Sequence, residues 1–425
     1  MVIEFNLKNM AARLAIVVVS VAAFVLLVAL IFSVFVVGTL ADERFAYGRE
    51  ALESPLEYFP NSARLNARLA GAELLESDRD LARAERLAAR AISLSPFNYR
   101  YHLTLASIKE AQGDRATAEA ALRDALALAP NDRNVHWRLA NVLLRQGKLA
   151  ESVNEFHIVV DADIHFLPVT LDLVWRASRG NVEAVEAVAG NDPKNRLPLA
   201  LFLVRQSKFA EAANVFRGID RNARLASMES ASLLNLLVAA DNLRLARDLW
   251  ASLIAEGSNS SPLVWNGGFE SDILKNFSQF DWTFGRSEYA RLTIDTSRPH
   301  SGARSLKIEF LGRDTTELKD EIRQLVIVRP GARYRVECYV KSENLVTPEG
   351  PRLVVTDKGS NWIAQSDAVA TGSNDWKLLS VEFVAPAVAD ASSAVYVSMK
   401  RKPKYDYDEP TRGAIWLDDV TMKEQ

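Results

Sequence analysis

A step of 34 residues recurs in the middle of this chain. Adding 34 to His102, Leu105, Ala106 and Gly113 gives His136, Leu139, Ala140 and Gly147, while Pro96 maps to Pro130 and Leu122 to Phe156. Going backwards, Ala118 and Ala125 map to Ala84 and Ala91. Leu69 and Ala70 lie 36 before Leu105 and Ala106, so two extra residues sit in the turn near Glu76–Asp80. Across 61–256 the chain is rich in Ala, Leu, Arg and Glu, and apolar residues recur at helical spacing. A unit of this length cannot bury its apolar face alone and has to stack on its neighbours. Gly113 and Gly147 fall where the first helix of a unit must stop. Pro60, Pro96 and Pro130 close the second helix, because proline cannot continue the hydrogen-bond ladder. Asn or Asp follows each within two residues and can cap the next helix.

This period and pattern resemble the tetratricopeptide repeat, most clearly over 63–164. Later units are degenerate. Leu143–Glu151 recurs as Leu203–Glu211 at an offset of 60, so an imperfect helix pair is expected between them, and a final pair over 229–240 and 242–254. About six helix pairs make an α-solenoid, TPR-like, over 61–256. The resemblance implies a groove that receives a protein partner rather than a catalyst. The alternative is a spacer holding the C-terminal domain off a membrane. Trp137, Trp175 and Trp250 on these helices are read as inter-helix packing. His102 and His136, at equivalent positions, are open to a groove-lining role but not to a metal site, since they lie on separate helices without accompanying carboxylates or thiols.

From Leu14 to Ala41 there is no charged residue, and nearly every side chain is Val, Ala, Leu, Ile or Phe. About 20 such residues span a bilayer as a helix. A buried core helix would interrupt its apolar face with polar residues. A cleaved signal peptide has a shorter apolar region, about 7–15 residues, and a small-x-small site, which Val37-Gly38-Thr39-Leu40-Ala41 matches poorly. An uncleaved transmembrane anchor at 14–41 is expected. Lys8 and Arg13 precede it, so the positive-inside bias puts residues 1–13 in the cytoplasm. Residues 42–60 then form a juxtamembrane segment. In a bacterium this is a single-pass inner-membrane protein with its C-terminal bulk in the periplasm.

The net charge of -3 gives no electrostatic case for nucleic acid. A single cysteine, Cys338, excludes an intrachain disulfide and a Cys-rich zinc site. Five histidines are too scattered for a His-based metal cluster. No nucleophile elbow, phosphate loop or HExxH occurs, and anchor, repeats and C-terminal region leave no room for a catalytic domain with the two placed carboxylates a glycosidase requires. The chain reads as a non-enzyme.

Glu256–Pro262 breaks the helical pattern and reads as a linker, 257–262. Beyond it Val, Thr, Tyr, Phe and Trp rise and runs alternate. Over 333–341, Tyr334, Val336, Cys338 and Val340 face one way, and Arg335, Glu337, Tyr339 and Lys341 the other. Cys338 is therefore a core residue. Pro330-Gly331 turns the chain back to a strand at 324–328. Further strands are expected at 280–284, 290–295, 304–310, 352–356, 376–384, 394–400 and 414–420, which suits a β-sandwich of jelly-roll type. The fold class is thus multidomain α + β.

Five motifs then appear in order: Trp265-Asn266-Gly267-Gly268-Phe269-Glu270 with Trp282; Ser301-Gly302-Ala303-Arg304-Ser305-Leu306-Lys307-Ile308; Val328-Arg329-Pro330-Gly331-Ala332-Arg333-Tyr334; Asp375-Trp376; and Gly413-Ala414-Ile415-Trp416-Leu417-Asp418-Asp419-Val420. Over 263–425 the chain resembles carbohydrate-binding modules of the CenC type, with a galactose-binding-like fold. That resemblance implies a structural calcium tying the first strand to the last. Glu270 and Asp418 are the matching positions, with Asp419 pointing to the opposite face; the alternative is that both carboxylates hydrogen-bond turns. Trp282 and Trp376 fall on motif positions assigned to packing. Trp362, Tyr405 and Tyr407, in polar segments between strands, are the candidate stacking platform for a sugar, or else loop side chains folded over the sandwich. With the anchor read from the apolar run, the two resemblances imply a membrane-anchored envelope scaffold that brings a protein partner and a glycan together, near exopolysaccharide or cell-surface glycan assembly. The alternative is a purely protein-protein interaction scaffold whose sandwich binds no sugar.

Overall fold

The computed structural model describes residues 10–40, 48–254, 262–313, 317–387, 393–405 and 409–425. Its chain falls into two compact units, Met1–Gly190 and Asn191–Gln425, a division inside the helical region. Most of the 257–262 linker and of the 1–13 tail, the start of the 42–60 segment and Tyr407 lie outside the described residues.

The first unit is helical: α1 (Met10–Leu40), α2 (Arg49–Tyr58), α3 (Ala63–Glu73), α4 (Leu81–Leu94), α5 (Tyr99–Gln112), α6 (Arg115–Leu128), α7 (Arg133–Arg145), α8 (Leu149–Ala162), α9 (Leu167–Ala177) and α10 (Val182–Ala189). Within α1, Arg13–Phe35 is long and apolar enough to cross a membrane, and its large apolar side chains are exposed; a signal sequence has the same character. Helices α3 to α8 pair in succession, as the 34-residue step requires. Small residues make the close approach possible: Ala84, Ala88, Ala91, Ala106, Ala118, Ala125 and Ala140 are all fully buried. Gly113 and Gly147 take the left-handed conformation at φ +80° and +79° where their helices stop. Asp80, Asn98, Asp114 and Asp132 cap the following helices through their side-chain oxygens. After Pro60 the cap is Ser62 instead; Asn61 accepts from Arg90 at 2.7 Å.

The repeat is also a repeat of hydrogen bonds. The residue six beyond each proline meets the proline's carbonyl: Asn66 Nδ2 to Pro60 O at 3.0 Å, His102 Nε2 to Pro96 O at 3.4 Å and His136 Nε2 to Pro130 O at 2.9 Å. His136 is 5% exposed and its Nδ1 lies 2.6 Å from Glu155. The groove-lining role left open for His136 is thus replaced by a structural one: it ties a helix to the turn before it. Gln112 and Gln146 repeat a second bond, to Leu81 O and Arg115 O. Trp137 packs edge-on to Phe156 and Phe166, with centroids 5.3 and 5.2 Å away, as an inter-helix residue.

The second unit opens with α11 (Pro193–Arg205), α12 (Phe209–Arg217), α13 (Arg221–Ala226), α14 (Met228–Ala239) and α15 (Leu243–Ile254). Ten strands follow among the described residues: β1 (Thr283–Phe284), β2 (Ala290–Asp295), β3 (Ser305–Leu311), β4 (Ile322–Val328), β5 (Arg333–Val346), β6 (Arg352–Thr356), β7 (Trp362–Gln365), β8 (Gly372–Val384), β9 (Ser393–Lys400) and β10 (Arg412–Glu424). They form two five-stranded antiparallel sheets, β1-β4-β9-β6-β7 and β2-β3-β10-β5-β8. Each mixes strands from opposite ends of the domain, the jelly-roll order. Between them lies one apolar core that includes Trp282, Phe310, Tyr334, Val336, Cys338, Val395 and Ile415. Cys338 is fully buried, and burial pushes its thiol pKa far up, so it is chemically quiet.

Helix α15 packs on the lead into the sandwich. Trp250 is fully buried, donates Nε1–H to Phe277 O at 2.6 Å and meets Trp265 and Phe280 edge-on. Its partners are therefore the β domain's opening loops, not only other helices. Arg247 stacks over Trp250 at 4.5 Å and donates to Pro262 O.

Candidate functional site

Alternation along β5 turns Tyr334, Val336, Cys338 and Val340 inward and Tyr339 and Lys341 outward. The register carries that outward face across the sheet. Trp416 on β10 lies opposite Lys341 on β5 and Lys307 on β3; Tyr339 lies between Asp418 on β10 and Leu378 on β8. Ile415 and Leu417 belong to the core, so Trp416 faces out. It is nonetheless almost fully covered: Arg298 stacks at 4.6 Å, Lys307 lies 5.6 Å away, and Nε1–H donates to Asp295 at 2.6 Å.

Beside it stands a group of half-buried rings. His300 stacks on Tyr339 with centroids 3.7 Å apart and planes 15° apart, and meets Trp376 edge-on at 5.3 Å. Trp376 is therefore not the packing residue expected. It sits on the outward side of β8, half-buried, because it shares the parity of Leu378, Ser380 and Glu382, while Leu379, Val381 and Phe383 turn to the core. Charged groups flank the rings: Lys341 pairs with Asp375 at 2.6 Å and Arg298 with Glu343 at 2.7 Å. Aromatic faces bordered by hydrogen-bonding groups are what a pyranose ring requires: apolar C–H contact on one side and partners for hydroxyls around it. The alternation of β5 already placed Tyr339 outward. His300 joins only because a loop 39 residues earlier folds over that strand.

The expected platform is divided. Trp362 begins β7 rather than a loop, with Lys402 Nζ 4.4 Å from its ring centroid, so the 402–405 segment lies beside it. Tyr405 is 65% exposed with Lys404 near its ring.

Glu270 and Asp418 do lie together. Glu270 Oε1 accepts from Ala303 and Arg304 N–H at 2.7 and 3.1 Å. Asp418 Oδ2 accepts from His300 and Ser301 N–H, and Oδ1 from Asp419 N–H. Asp418 is fully buried, and that burial raises its pKa. Asp419 departs from the expected alternation. A bulge between Asp418 and Thr421 puts it at φ +49°, and its carboxylate reaches His300 Nδ1 at 2.6 Å and Ser301 Oγ at 2.7 Å. Both carboxylates thus serve the same turn. A Cβ placed on Gly268 would meet Asp418 Oδ1 at 3.6 Å, Asp419 Oδ1 at 3.7 Å and Glu270 Cγ at 3.7 Å. This cradle of oxygen donors fits a hard cation in kind. Among the described residues no group of three or more His, Cys, Asp and Glu is close enough to hold a metal by itself, so backbone carbonyls would have to complete the shell.

Comparison with known proteins agrees with both halves of the chain. Residues 261–406 match the family described as Carbohydrate binding domain, and residues 109–163 match the Tetratricopeptide repeat. The chain carries a tetratricopeptide-repeat region and a C-terminal carbohydrate-binding domain. Solved structures similar to it include MamA from Desulfovibrio magneticus (15% identity, 40% of this chain and 80% of that one, TM-score 0.27). A thermophilic TPR protein in Thermus thermophilus is 23% identical over 31% of this chain and 70% of its own, with TM-score 0.26. A structure titled "CBM4 structure and function" is 17% identical over 38% of this chain and 99% of its own, with TM-score 0.26. No curated protein matches the chain. Both regions are of non-catalytic kinds.

Proposed function

We propose that this protein is a non-enzymatic scaffold, anchored in a membrane by α1, that holds a protein partner on its helical repeats and a glycan on its β-sandwich. The observation that carries the glycan half is the group formed by Tyr339, His300 and Trp376 beside Trp416 on the outward face of β2-β3-β10-β5-β8. Stacking of Tyr339 under His300 fixes its plane, and the ion pairs around it bring donors and acceptors to the rim. In a bacterium the anchor would face the bulk of the chain to the periplasm, and the pairing of modules suits exopolysaccharide or cell-surface glycan assembly. There the membrane raises the effective concentration of weakly binding modules.

The test is retardation of the full-length protein, in detergent, in native gels cast with a panel of polysaccharides. Trp376→Ala and Tyr339→Ala should each measurably weaken retardation while leaving the melting temperature unchanged. Unchanged retardation would move the site to Trp362, Tyr405 and Tyr407, a second reading supported by the placement of Lys402 over Trp362 and the exposure of Tyr405. No retardation by any polysaccharide would leave a protein-only scaffold.

Calcium at Glu270 and Asp418 belongs to the same proposal. Those two carboxylates, with backbone carbonyls completing the shell, would hold it, and the ion would offset the buried Asp418 charge and lock the opening loop to β10. Melting in calcium and in EGTA decides it. A ligand at 100 times its Kd adds about 2.7 kcal/mol, several degrees for a domain of this size. Equal melting curves would leave the amide bonds as the whole of the latch.

A further inference from the structure

A cavity lies in the second unit, away from the ring group. It has a volume of about 400 Å³ and is walled by α14, the 275–279 turn and the outward side of β4 and β9. That volume is within the range of small-ligand sites. Its chemistry is lopsided. Arg323 and Lys275 bring two cations, while no Asp or Glu is among the described residues that line it. Arg323 stacks its guanidinium on the Tyr396 ring at 4.5 Å and makes no ion pair among the described residues. Three carboxamides complete the wall: Asn235, Asn276 and Gln279. Gln279 donates Nε2–H to Asn235 Oδ1 at 2.8 Å and to Asn276 O at 3.1 Å, which fixes its plane and leaves Oε1 buried without a partner.

We propose that this cavity binds the acidic unit of a saccharide, a hexuronate. The carboxylate pairs with Arg323, whose planar fork matches it two bonds at a time and whose stacking on Tyr396 holds the fork in place. Carboxamides carry both donors and acceptors, as ring hydroxyls demand. An uncharged sugar would leave the two cations unanswered, and a bare anion would leave the amides unanswered. The site therefore selects for charge and hydroxyls together.

Calorimetric titration of the full-length protein in detergent with D-glucuronate, D-glucose and acetate tests this. Glucuronate should bind at least tenfold more tightly than either of the others. Arg323→Gln should remove that preference. Ser232→Trp, at an exposed position on α14, should block the cavity without disturbing the fold. Trp376→Ala should leave glucuronate binding intact, so that this site and the ring group can fail independently. Equal binding of the three ligands, no binding of glucuronate, or glucuronate binding that survives both Arg323→Gln and Ser232→Trp would each overturn the proposal.

Discussion

Asp281 shows how one buried side chain can set a pH dependence. It is 4% exposed, and burial lifts its pKa to about 6, against the hydrogen bond from Trp282 N–H at 2.7 Å and the nearby Arg247 charge, which both lower it. The folded state therefore prefers the neutral acid. Stability from this group is complete below the unfolded pKa near 4 and is lost as pH rises through about 6. Asp281→Asn retains an acceptor for Trp282 N–H and removes the charge. It should raise stability at pH 7 by up to about 3 kcal/mol, the equivalent of the full shift, and should flatten the stability profile between pH 4 and 6. Urea unfolding at pH 4, 5, 6 and 7 provides the comparison; parallel profiles for the two proteins would contradict it. At the ring group, Trp376→Ala removes a half-exposed face, and stacking of this kind contributes about 0.5–1.5 kcal/mol. Glycan affinity should fall about 3–10-fold. The alternation of β5 made Tyr339 readable in the sequence as an outward residue. The motif position of Trp376 points to packing, although the alternation of β8 gives it the same outward parity as Leu378, Ser380 and Glu382.

At the scale of elements, the repeat explains both what is regular and what has drifted. The αL stop filled by Gly147 after α7 is filled by Ser207 after α11, at φ +59°. An L-residue there costs about 1–2 kcal/mol relative to glycine's easy access, partly offset by glycine's greater freedom when unfolded. Ser207→Gly should stabilise the protein by about 0.5–1 kcal/mol, seen as a higher urea midpoint at unchanged slope. His136→Ala should act in the other direction. It deletes a buried side chain together with its bonds to Pro130 O and Glu155, at a cost of about 1–3 kcal/mol. If His136→Ala melts as the wild type does, the proline-carbonyl bond is not a stabilising feature of the repeat. The strand boundaries at 290–295 and 352–356 were legible from alternation and turn residues alone. β7 was not: Trp362-Ile363-Ala364-Gln365 has too few residues to show a period, and it is a strand only because β6 offers an edge to pair with.

The whole molecule joins an apolar helix, stacked repeats and a sandwich. If α1 is an uncleaved anchor, the full-length protein should remain in bacterial membranes after carbonate washing, and removal of residues 10–40 should release it. Recovery of a soluble product that begins after residue 40 would instead make α1 a signal sequence.

The apolar run, the 34-residue period and the five β-domain motifs were fixed by composition and spacing. Those signals are local, and one period or one alternation suffices to select helix or strand. Which side chains meet is a separate matter. His300 reaches Tyr339, Asp419 shares a turn with Asp418, Trp250 seals onto Trp265 and Phe280, and Arg323 faces an acid-free cavity because strand register, one bulge and loop folding bring distant segments together. No pattern along the chain records those distances, so the binding chemistry belongs to the tertiary structure.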